Sequence, residues 1–324
     1  MHTKQPVRAL TMIGLVWILL GSYSMLRADE GDARLKKRLA ELEMENRSLR
    51  KMIDEIQKVL KSASASPTIA FPNSSGLRIT VLPGEWGGST LADIQKVCDS
   101  AAGTIVSELP DDGFAPILVQ RAKEGPITLY ERAKGYEYIV RLDTGGQAWA
   151  QLAYQFSHEF CHIVCNYRDA KNPQLWFEES LCECASLYSL RRMAVQWEVN
   201  PPYPNWKSYS TSLANYARDR INSYTNRDES TAQFYRRHLA DLEKSGTNRD
   251  LNTTIAVKLL PHFEATPAAW QSLRYLNLGS IEENLTLQTY LSRWHGRVPE
   301  QHKPFIRQIA EEFDIELASE ERAD

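Results

Sequence analysis

The chain has 324 residues, of which 43% are hydrophobic and 24% charged, and these values are typical of a globular protein of one or two domains. The formal net charge of −3 at pH 7 argues against a nucleic-acid partner and against a basic protein that binds membrane surfaces. The sequence has no internal repeat at the period of a solenoid or a propeller, so those architectures are excluded.

Residues 1–28 predict an export segment. Lys4 and Arg8 precede an apolar stretch without charge, and the acidic residues Asp29 and Glu30 follow it. Positive charge before an apolar run directs the following chain out of the cytoplasm. The run of about 17 residues suits either a cleaved signal peptide or an uncleaved membrane anchor, and both alternatives stay open. We therefore expect the rest of the chain in an extracytoplasmic space, periplasmic or secreted, with the membrane as a partner if the segment is retained.

Residues 29–62 predict a coiled coil. Core positions recur every seven residues in two series offset by four, and Asn46 lies within one of them. A polar residue at a core position favours one register and a two-stranded assembly. We predict a homodimer through residues 35–60; the alternative is a single amphipathic helix folded back on the domain. The core positions are Leu35, Leu39, Leu42, Asn46, Leu49, Ile53, Ile56 and Leu60.

Residues 63–76 are rich in Ser, Ala and Pro and predict a linker, so that 77–324 form the folded domain. The first part of this domain predicts the element order β-α-β-β-β-α. Its first helix, over 89–109, begins with a capping box formed by Thr90 and Asp93. The predicted strands lie at 77–83, 115–121, 126–132 and 136–144, and the last element is a helix from Thr144 or Gly145 to Asn166.

After this point the sequence predicts only helices. Strands that come first and helices that follow indicate an α+β fold, in which a half that contains the sheet is joined to a helical half. The helices are predicted over 174–196, 206–224, 229–244, 250–264, 266–276, 284–295 and 301–313.

The segment "FSHEFCHIVC" places His158 and His162 four residues apart on the last helix of the first half. Residues at this spacing lie on one helical face, so the two imidazoles are able to bind one metal ion. Glu159 is rotated by about 100° from His158, which places its carboxylate beside the ion as a proton acceptor. The alternative is a solvent-facing pair of histidines. It is weakened because apolar neighbours surround the helix and indicate burial.

A second segment, "WFEESLCECAS" at 176–186, supplies candidates for a third ligand. Glu179 is favoured because Glu183 then lies one turn further on, where it is able to orient a ligand histidine. Glu178 is the alternative ligand, with Cys182 one turn further on. Here the chain resembles the gluzincin metallopeptidases, the thermolysin-like group. The residues that carry the resemblance are His158, Glu159, His162, Trp176, Glu179, Ser180 and Glu183.

The resemblance implies a thermolysin-like first half that binds one zinc ion per chain. It implies peptide-bond hydrolysis in which a metal-activated water attacks and Glu159 is the general base. Ser180 and Glu183 depart from the glycine and aspartate that are frequent in the group. The group stabilises the oxyanion with a downstream Tyr or His, for which this chain offers Tyr209, Tyr216, Tyr224, Tyr235 and His238.

The resemblance also implies that the strand before the motif helix binds substrate. A peptide would add to this strand, and the residues concerned are Tyr136, Tyr138, Val140 and Leu142. Two rival functions are a membrane-tethered coiled-coil scaffold with an inactive head, and a zinc hydrolase of a non-peptide substrate. Glu159 argues against the first rival, because an inactive site has little use for the general base.

The chain has five cysteines, four of which lie on the two helices that carry the motif residues. A bridge between these helices is an alternative in an oxidising compartment. Buried thiols that act as small apolar residues are the favoured interpretation. Cysteine is the least favoured zinc ligand, because the His and Glu set is already complete.

Overall fold

The computed structural model describes residues 76–109, 114–225 and 229–318, together with six residues between 38 and 51. The chain divides into two compact units, Met1–Phe71 and Pro72–Asp324. In the first unit the six described residues are helical and exposed, and Leu42 has 43% of its surface exposed. The predicted export segment and nearly all of the predicted coiled coil and linker lie outside the described residues. None of the helices in the described ranges has the length and apolarity needed to cross a bilayer.

The second unit contains a mixed four-stranded sheet. Its strands are β1 (Ile79–Val81), β2 (Ile117–Arg121), β3 (Ile127–Thr128) and β4 (Tyr138–Leu142). Their spatial order is β1-β2-β4-β3. β1 and β4 both run parallel to β2, and β3 runs antiparallel to β4. The short strand β3 therefore forms one edge of the sheet, and β4 lies in its interior.

Helix α1 (Leu91–Val106) connects β1 to β2, as a parallel strand pair requires. The capping box predicted at its start is present: the Thr90 side chain accepts from the Asp93 N–H, and the Asp93 side chain accepts from the Thr90 N–H. The element order β-α-β-β-β-α is as predicted.

Helix α2 (Trp149–Val164) carries the histidine motif and begins later than predicted. Gly146 has a φ of 64° and donates its N–H to the Trp86 carbonyl at 2.6 Å. A Cβ on Gly145 would lie 3.1 Å from the Trp86 backbone. The chain thus turns tightly against Trp86 before the helix begins. As predicted, α2 is buried on nearly all sides.

Helix α3 (Leu175–Val199) packs along α2 and links the sheet half to the helical half. Trp176 and Phe177 in its first turn are fully buried among aromatic rings of the last helices, including Tyr290 and Phe313. This packing fixes the start of α3. The other helices are α4 (Ser210–Tyr224), α5 (Thr231–Lys244), α6 (Arg249–Ala265), α7 (Leu287–Arg297) and α8 (Lys303–Glu312), with 3₁₀ turns at Pro204–Tyr209, Pro267–Tyr275 and Glu300–His302.

The fold of the second unit is α+β, with the sheet in the first part of the chain and helices in the rest. Four of the seven predicted helical segments correspond to single α-helices, and two more are α-helices preceded by a 3₁₀ turn. The segment predicted at 266–276 is a 3₁₀ helix, Pro267–Tyr275.

Candidate metal centre

The first turn of α3 is fixed by a buried glutamine. Gln174 immediately precedes the helix, and its side-chain N–H donates to the Leu285 carbonyl at 2.9 Å. The Gln174 side-chain oxygen accepts from the Trp176 indole at 3.0 Å. These bonds join the helix start to a segment more than 100 residues downstream, so the acidic residues that follow have a defined position beside α2.

Glu179 faces both motif histidines. His158 Nε2 lies 3.1 Å from Glu179 Oε2, and His162 Nε2 lies 3.6 Å from Glu179 Oε1. The two imidazole rings have centroids 5.0 Å apart. Two ring nitrogens and one carboxylate therefore meet at one place, and the structure brings together the three residues that the sequence predicts as ligands.

Glu178, the alternative ligand, has a different position. Its Oε1 accepts from His162 Nδ1 at 2.7 Å, and its Oε2 accepts from the Asn277 side chain at 2.7 Å. The Tyr290 hydroxyl in turn donates to Asn277 at 2.5 Å. A carboxylate on Nδ1 fixes the tautomer that leaves Nε2 free for a ligand role. Glu178 thus orients His162 from behind, and only Glu179 lies on the side of both Nε2 atoms.

Glu183 lies behind His158, as predicted, but at a greater distance. Its Oε1 is 3.8 Å from His158 Nδ1, which exceeds a hydrogen bond. The Tyr154 hydroxyl donates to Glu183, and the guanidinium groups of Arg220 and Arg249 lie 3.9 and 3.6 Å from its oxygens. The carboxylate is therefore held by several groups besides the histidine.

Glu159 is held by the edge strand. It is buried, and its Oε2 lies 2.9 Å from the hydroxyl of Thr128 on β3. The same hydroxyl lies 2.9 Å from the Glu159 carbonyl oxygen. The carboxylate borders the same cavity as His158 and Glu179. Strand β3 thus fixes the predicted general base at the rim of the metal centre.

The cavity has a volume of about 300 Å³ and opens to the surface. Its floor is formed by the motif histidines and glutamates. One wall comes from β3 and the residues after it, and the other comes from α6 and the turn before it. Besides the floor, the lining includes Ile127, Thr128, Tyr130, Tyr167, Arg168, Thr247, Arg249 and Asn252.

The charged groups of this site shift one another's pKa. Burial opposes the charging of His162, but the hydrogen bond to Glu178 and the nearby Glu179 carboxylate raise its pKa to about 10. Burial also opposes ionisation of Glu179, yet His158 and His162 lower its pKa to about 2. Burial raises the pKa of Glu183 to about 7, against the influence of Arg220 and Arg249. A site with this excess of buried acid is suited to a cation.

Two side chains are candidates for a third ligand beside His158 and His162. His158, His162 and Cys182 are buried and each offer a ligand atom within 4.8 Å of the others, so this trio is able to hold an ion. Glu179 also lies close to the same two histidines. Cys182 is fully buried, whereas Glu179 borders the cavity together with both histidines.

The Cys182 thiol belongs to a cluster of buried sulfurs. Burial raises the pKa of Cys182 well above its usual range, and hydrogen bonds to Cys161 and Cys165 raise it further. Burial also opposes ionisation of Cys161, but its hydrogen bonds to Cys165 and Cys182 lower its pKa to about 6. All five cysteines are free and buried, and Cys161 Sγ and Cys165 Sγ lie 4.0 Å apart. The alternative of a bridge between α2 and α3 is not formed.

The strand predicted to bind substrate has both of its edges paired. Tyr136, Tyr138, Val140 and Leu142 lie on or next to β4, which pairs with β2 on one side and β3 on the other. Val140 and Leu142 are fully buried, and a peptide cannot add to a strand whose two edges are occupied. The strand that borders the cleft is β3, where Ile127 is 46% exposed.

The downstream tyrosines and histidine named as oxyanion candidates do not border the metal-side cavity as the structure describes it. The Tyr209 hydroxyl donates to the Gln147 carbonyl at 3.1 Å, and Tyr216 lines a neighbouring cavity. The groups that sequence reasoning missed are Thr128, Asn277, Arg220 and Arg249. Each comes from an element distant in sequence, and no local motif marks it.

Comparisons of this chain with models of known protein families, with curated proteins and with solved structures return no match. The geometry of the candidate metal centre is therefore the basis on which a function is proposed. That geometry comprises two histidines, four neighbouring glutamates and the edge strand beside them.

Proposed function

We propose that this protein is a zinc-dependent peptidase of the gluzincin type that acts outside the cytoplasm. The observation that carries the proposal is the approach of Glu179 to the Nε2 atoms of both His158 and His162, at 3.1 and 3.6 Å. Glu159 stands beside them at the rim of an open cleft. Two histidines, one glutamate and a free carboxylate are the set that hydrolytic zinc sites use.

His158, His162 and Glu179 would hold the ion, one per chain. When bound, zinc supplies a Lewis acid that polarises a carbonyl group and acidifies water. Glu178 donates no ligand atom in this proposal; it keeps the His162 ring oriented through Nδ1. Glu183 has the corresponding role towards His158 across a longer gap.

Glu159 transfers the protons. Its carboxylate accepts a proton from the attacking water and returns it to the leaving amine. Thr128 supports this role, because its hydroxyl lies 2.9 Å from Glu159 Oε2 and limits rotation of the side chain. Thr128 also belongs to β3, the strand that borders the cleft. One residue therefore holds the proposed general base next to the edge that is proposed to bind substrate.

The peptide is proposed to bind along β3. Strand β3 pairs with β4 on one side only, and its other side faces the cleft. An extended peptide that adds to this edge has its backbone fixed by main-chain hydrogen bonds. Its scissile bond then lies over His158, His162 and Glu179, which form the floor of the same cleft.

The test is cleavage of a denatured-protein digest by zinc-loaded protein, followed by mass spectrometry. Wild type is expected to cleave peptides, and Glu159→Gln is expected to lose at least about a hundredfold in rate while it keeps its zinc. Glu198→Gln is the matched control, because Glu198 is an exposed residue of the same helix as Glu179. Equal rates for wild type and Glu159→Gln, or zinc-loaded wild type that cleaves no peptide, contradict the proposal.

We also propose that the chain is a homodimer through residues 35–60, with residues 1–28 as its export segment or membrane anchor. The proposal depends on the seven-residue series and on Asn46. Sedimentation equilibrium of residues 29–324 is expected to give the mass of two chains, and deletion of 29–62 is expected to give one. A monomer at tens of micromolar concentration, or a dimer that survives the deletion, contradicts this assignment.

A further inference from the structure

A second cavity adjoins the metal-side cleft and has a different electrostatic character. It has a volume of about 160 Å³ and shares Pro126, His158, Glu183 and Arg249 with the first cavity. Its remaining lining comes from α2 and α4 and consists of Gln151, Tyr154, Gln155, Tyr216 and Arg220. We refer to this cavity as the basic end of the cleft, because two arginines line it.

The two arginines share one buried carboxylate. Arg220 Nη2 lies 3.9 Å from Glu183 Oε2, and Arg249 Nε lies 3.6 Å from Glu183 Oε1. Both distances exceed a hydrogen bond, so neither guanidinium has its donors satisfied by Glu183. Glu183 is the only acid in the lining of the basic end as the structure describes it. Two positive groups thus face one negative group, and Glu183 does not satisfy all the N–H donors of the two guanidinium groups.

Arg220 has an unused donor in a buried position. Its Nη2 donates to the Tyr154 hydroxyl at 2.9 Å, but its Nε is buried and has no partner among the described residues. A buried donor without an acceptor costs free energy, and an incoming acceptor removes that cost. Arg249 is 59% exposed at its side chain and begins helix α6, whose N-terminus adds partial positive charge.

We propose that Arg220 and Arg249 bind a carboxylate group of the substrate. This inference depends on the proposed peptidase function and specifies its substrate class. Two guanidinium groups at the end of a cleft recognise carboxylate through charge-assisted hydrogen bonds, and they disfavour an amide or an ammonium group at the same place.

The direction of β3 indicates which part of a peptide reaches the basic end. Pro126, just before β3, borders both cavities, and Tyr130, after β3, borders only the metal-side cavity. The strand thus runs away from the basic end. A peptide that pairs antiparallel with β3 runs towards it, so its carboxyl-terminal side reaches Arg220 and Arg249. The carboxylate then belongs to an acidic side chain or to the free C-terminus of the peptide.

The experiment measures binding of fluorescent peptide pools to zinc-loaded full-length Glu159→Gln protein, and cleavage of the same pools by wild type. One pair of pools differs only in a free or amidated C-terminus, and the other pair differs only in Glu or Gln at internal positions. The pool that carries the recognised carboxylate is expected to bind at least about tenfold more tightly than its neutral partner. The pair that shows the difference identifies the source of the carboxylate.

Arg249→Gln in the Glu159→Gln background is expected to reduce this preference to less than about threefold. Arg249→Glu is expected to reverse it in favour of the neutral member of the pair. Arg218→Gln is the charge-matched control, because it also removes one guanidinium group but Arg218 borders neither cavity. Melting temperatures of the variants, measured in parallel, show that the loss of preference occurs in folded protein.

Equal binding of both members of each pair overturns the inference, and so does a preference that persists in Arg249→Gln and Arg249→Glu. Cleavage by wild type without any carboxylate preference also overturns it and leaves the peptidase function standing. A carboxylate preference in binding, together with zinc-loaded wild type that cleaves no pool, supports the basic end and contradicts the peptidase function. The two failures are therefore distinguishable.

Discussion

Helices α2 and α3 meet along two surfaces with opposite properties. We call the surface formed by His158, His162 and Glu179 the cleft face, and the surface formed by Cys161, Cys165 and Cys182 the thiol face. The cleft face contains charged groups and borders solvent through the cavity. The thiol face is fully buried, and its thiols contact one another.

The comparison of the two faces shows which neighbours stabilise buried charged groups between α2 and α3. Each histidine of the cleft face has a carboxylate behind it, and Glu178 is itself hydrogen-bonded to Asn277. On the thiol face the sulfur atoms are partners of one another, and despite burial the hydrogen bonds to Cys165 and Cys182 lower the pKa of Cys161 to about 6. Buried charge is tolerated where partners satisfy it, and the carboxylates behind the histidines supply such partners on the cleft face.

Removal of the Glu179 carboxylate from the cleft face should have the largest effect on zinc binding. We expect Glu179→Gln to bind less than a tenth of a zinc ion per chain after gel filtration, because an amide is a much weaker ligand than a carboxylate. Wild type purified without chelator is expected to hold about one. The measurement is elemental analysis of both proteins. Full occupancy in Glu179→Gln would contradict ligation by Glu179.

Removal of the Glu178 carboxylate, which orients His162, should have an intermediate effect on zinc binding. We expect Glu178→Gln to keep its zinc but to bind it about 10- to 100-fold more weakly, since His162 loses the partner that fixes its ring. Competition with a chromophoric chelator measures this change. If Glu178→Gln loses all its zinc while Glu179→Gln keeps it, the roles of the two adjacent acids are exchanged.

The ion pair between His162 and Glu178 should give the metal-free protein a pH-dependent response. The carboxylates raise the pKa of His162 from 6.5 to about 10 despite its burial, so the stabilisation is complete below pH 6.5 and is lost as the pH rises through 10. We expect Glu178→Gln to lower the melting temperature by several degrees more at pH 6 than at pH 10. Thermal melts in the presence of chelator measure the difference. A reduction that is larger at pH 10 contradicts the assignment.

A change on the thiol face should have the smallest effect. We expect Cys182→Ser to alter zinc affinity and peptide cleavage by less than about twofold, because the thiol is a buried apolar group in this account. Cys184→Ser is the matched control, since Cys184 is also fully buried on α3. A loss of zinc from Cys182→Ser but not from Cys184→Ser would place the thiol among the ligands.

The sequence was sufficient for the features that depend on local pattern. The capping box at Thr90 and Asp93, the order β-α-β-β-β-α and the burial of α2 follow from short-range spacing and composition. The sequence also predicts that Glu179 lies close to His158 and His162. His158 and His162 are one helical turn apart on one helix, and Glu179 and Glu183 are one turn apart on the next.

The sequence was insufficient wherever the position of one element relative to another decides the outcome. Strand β4 follows β3 in the chain, but its interior place depends on a parallel pairing with β2 that the sequence does not encode locally. For this reason the sequence does not reveal that β4 has no free edge. Asn277 lies 99 residues after Glu178, and Arg220 and Arg249 reach Glu183 from two other helices.

The most direct test of the central claim is X-ray absorption at the zinc edge of the zinc-loaded protein. Ligation by His158, His162 and Glu179 predicts a first shell of nitrogen and oxygen at about 2.0–2.2 Å, with the outer-shell scattering of two imidazoles and without sulfur. A sulfur scatterer at about 2.3 Å, present in wild type and absent in Cys182→Ser, would contradict ligation by Glu179 and make Cys182 a ligand of the ion.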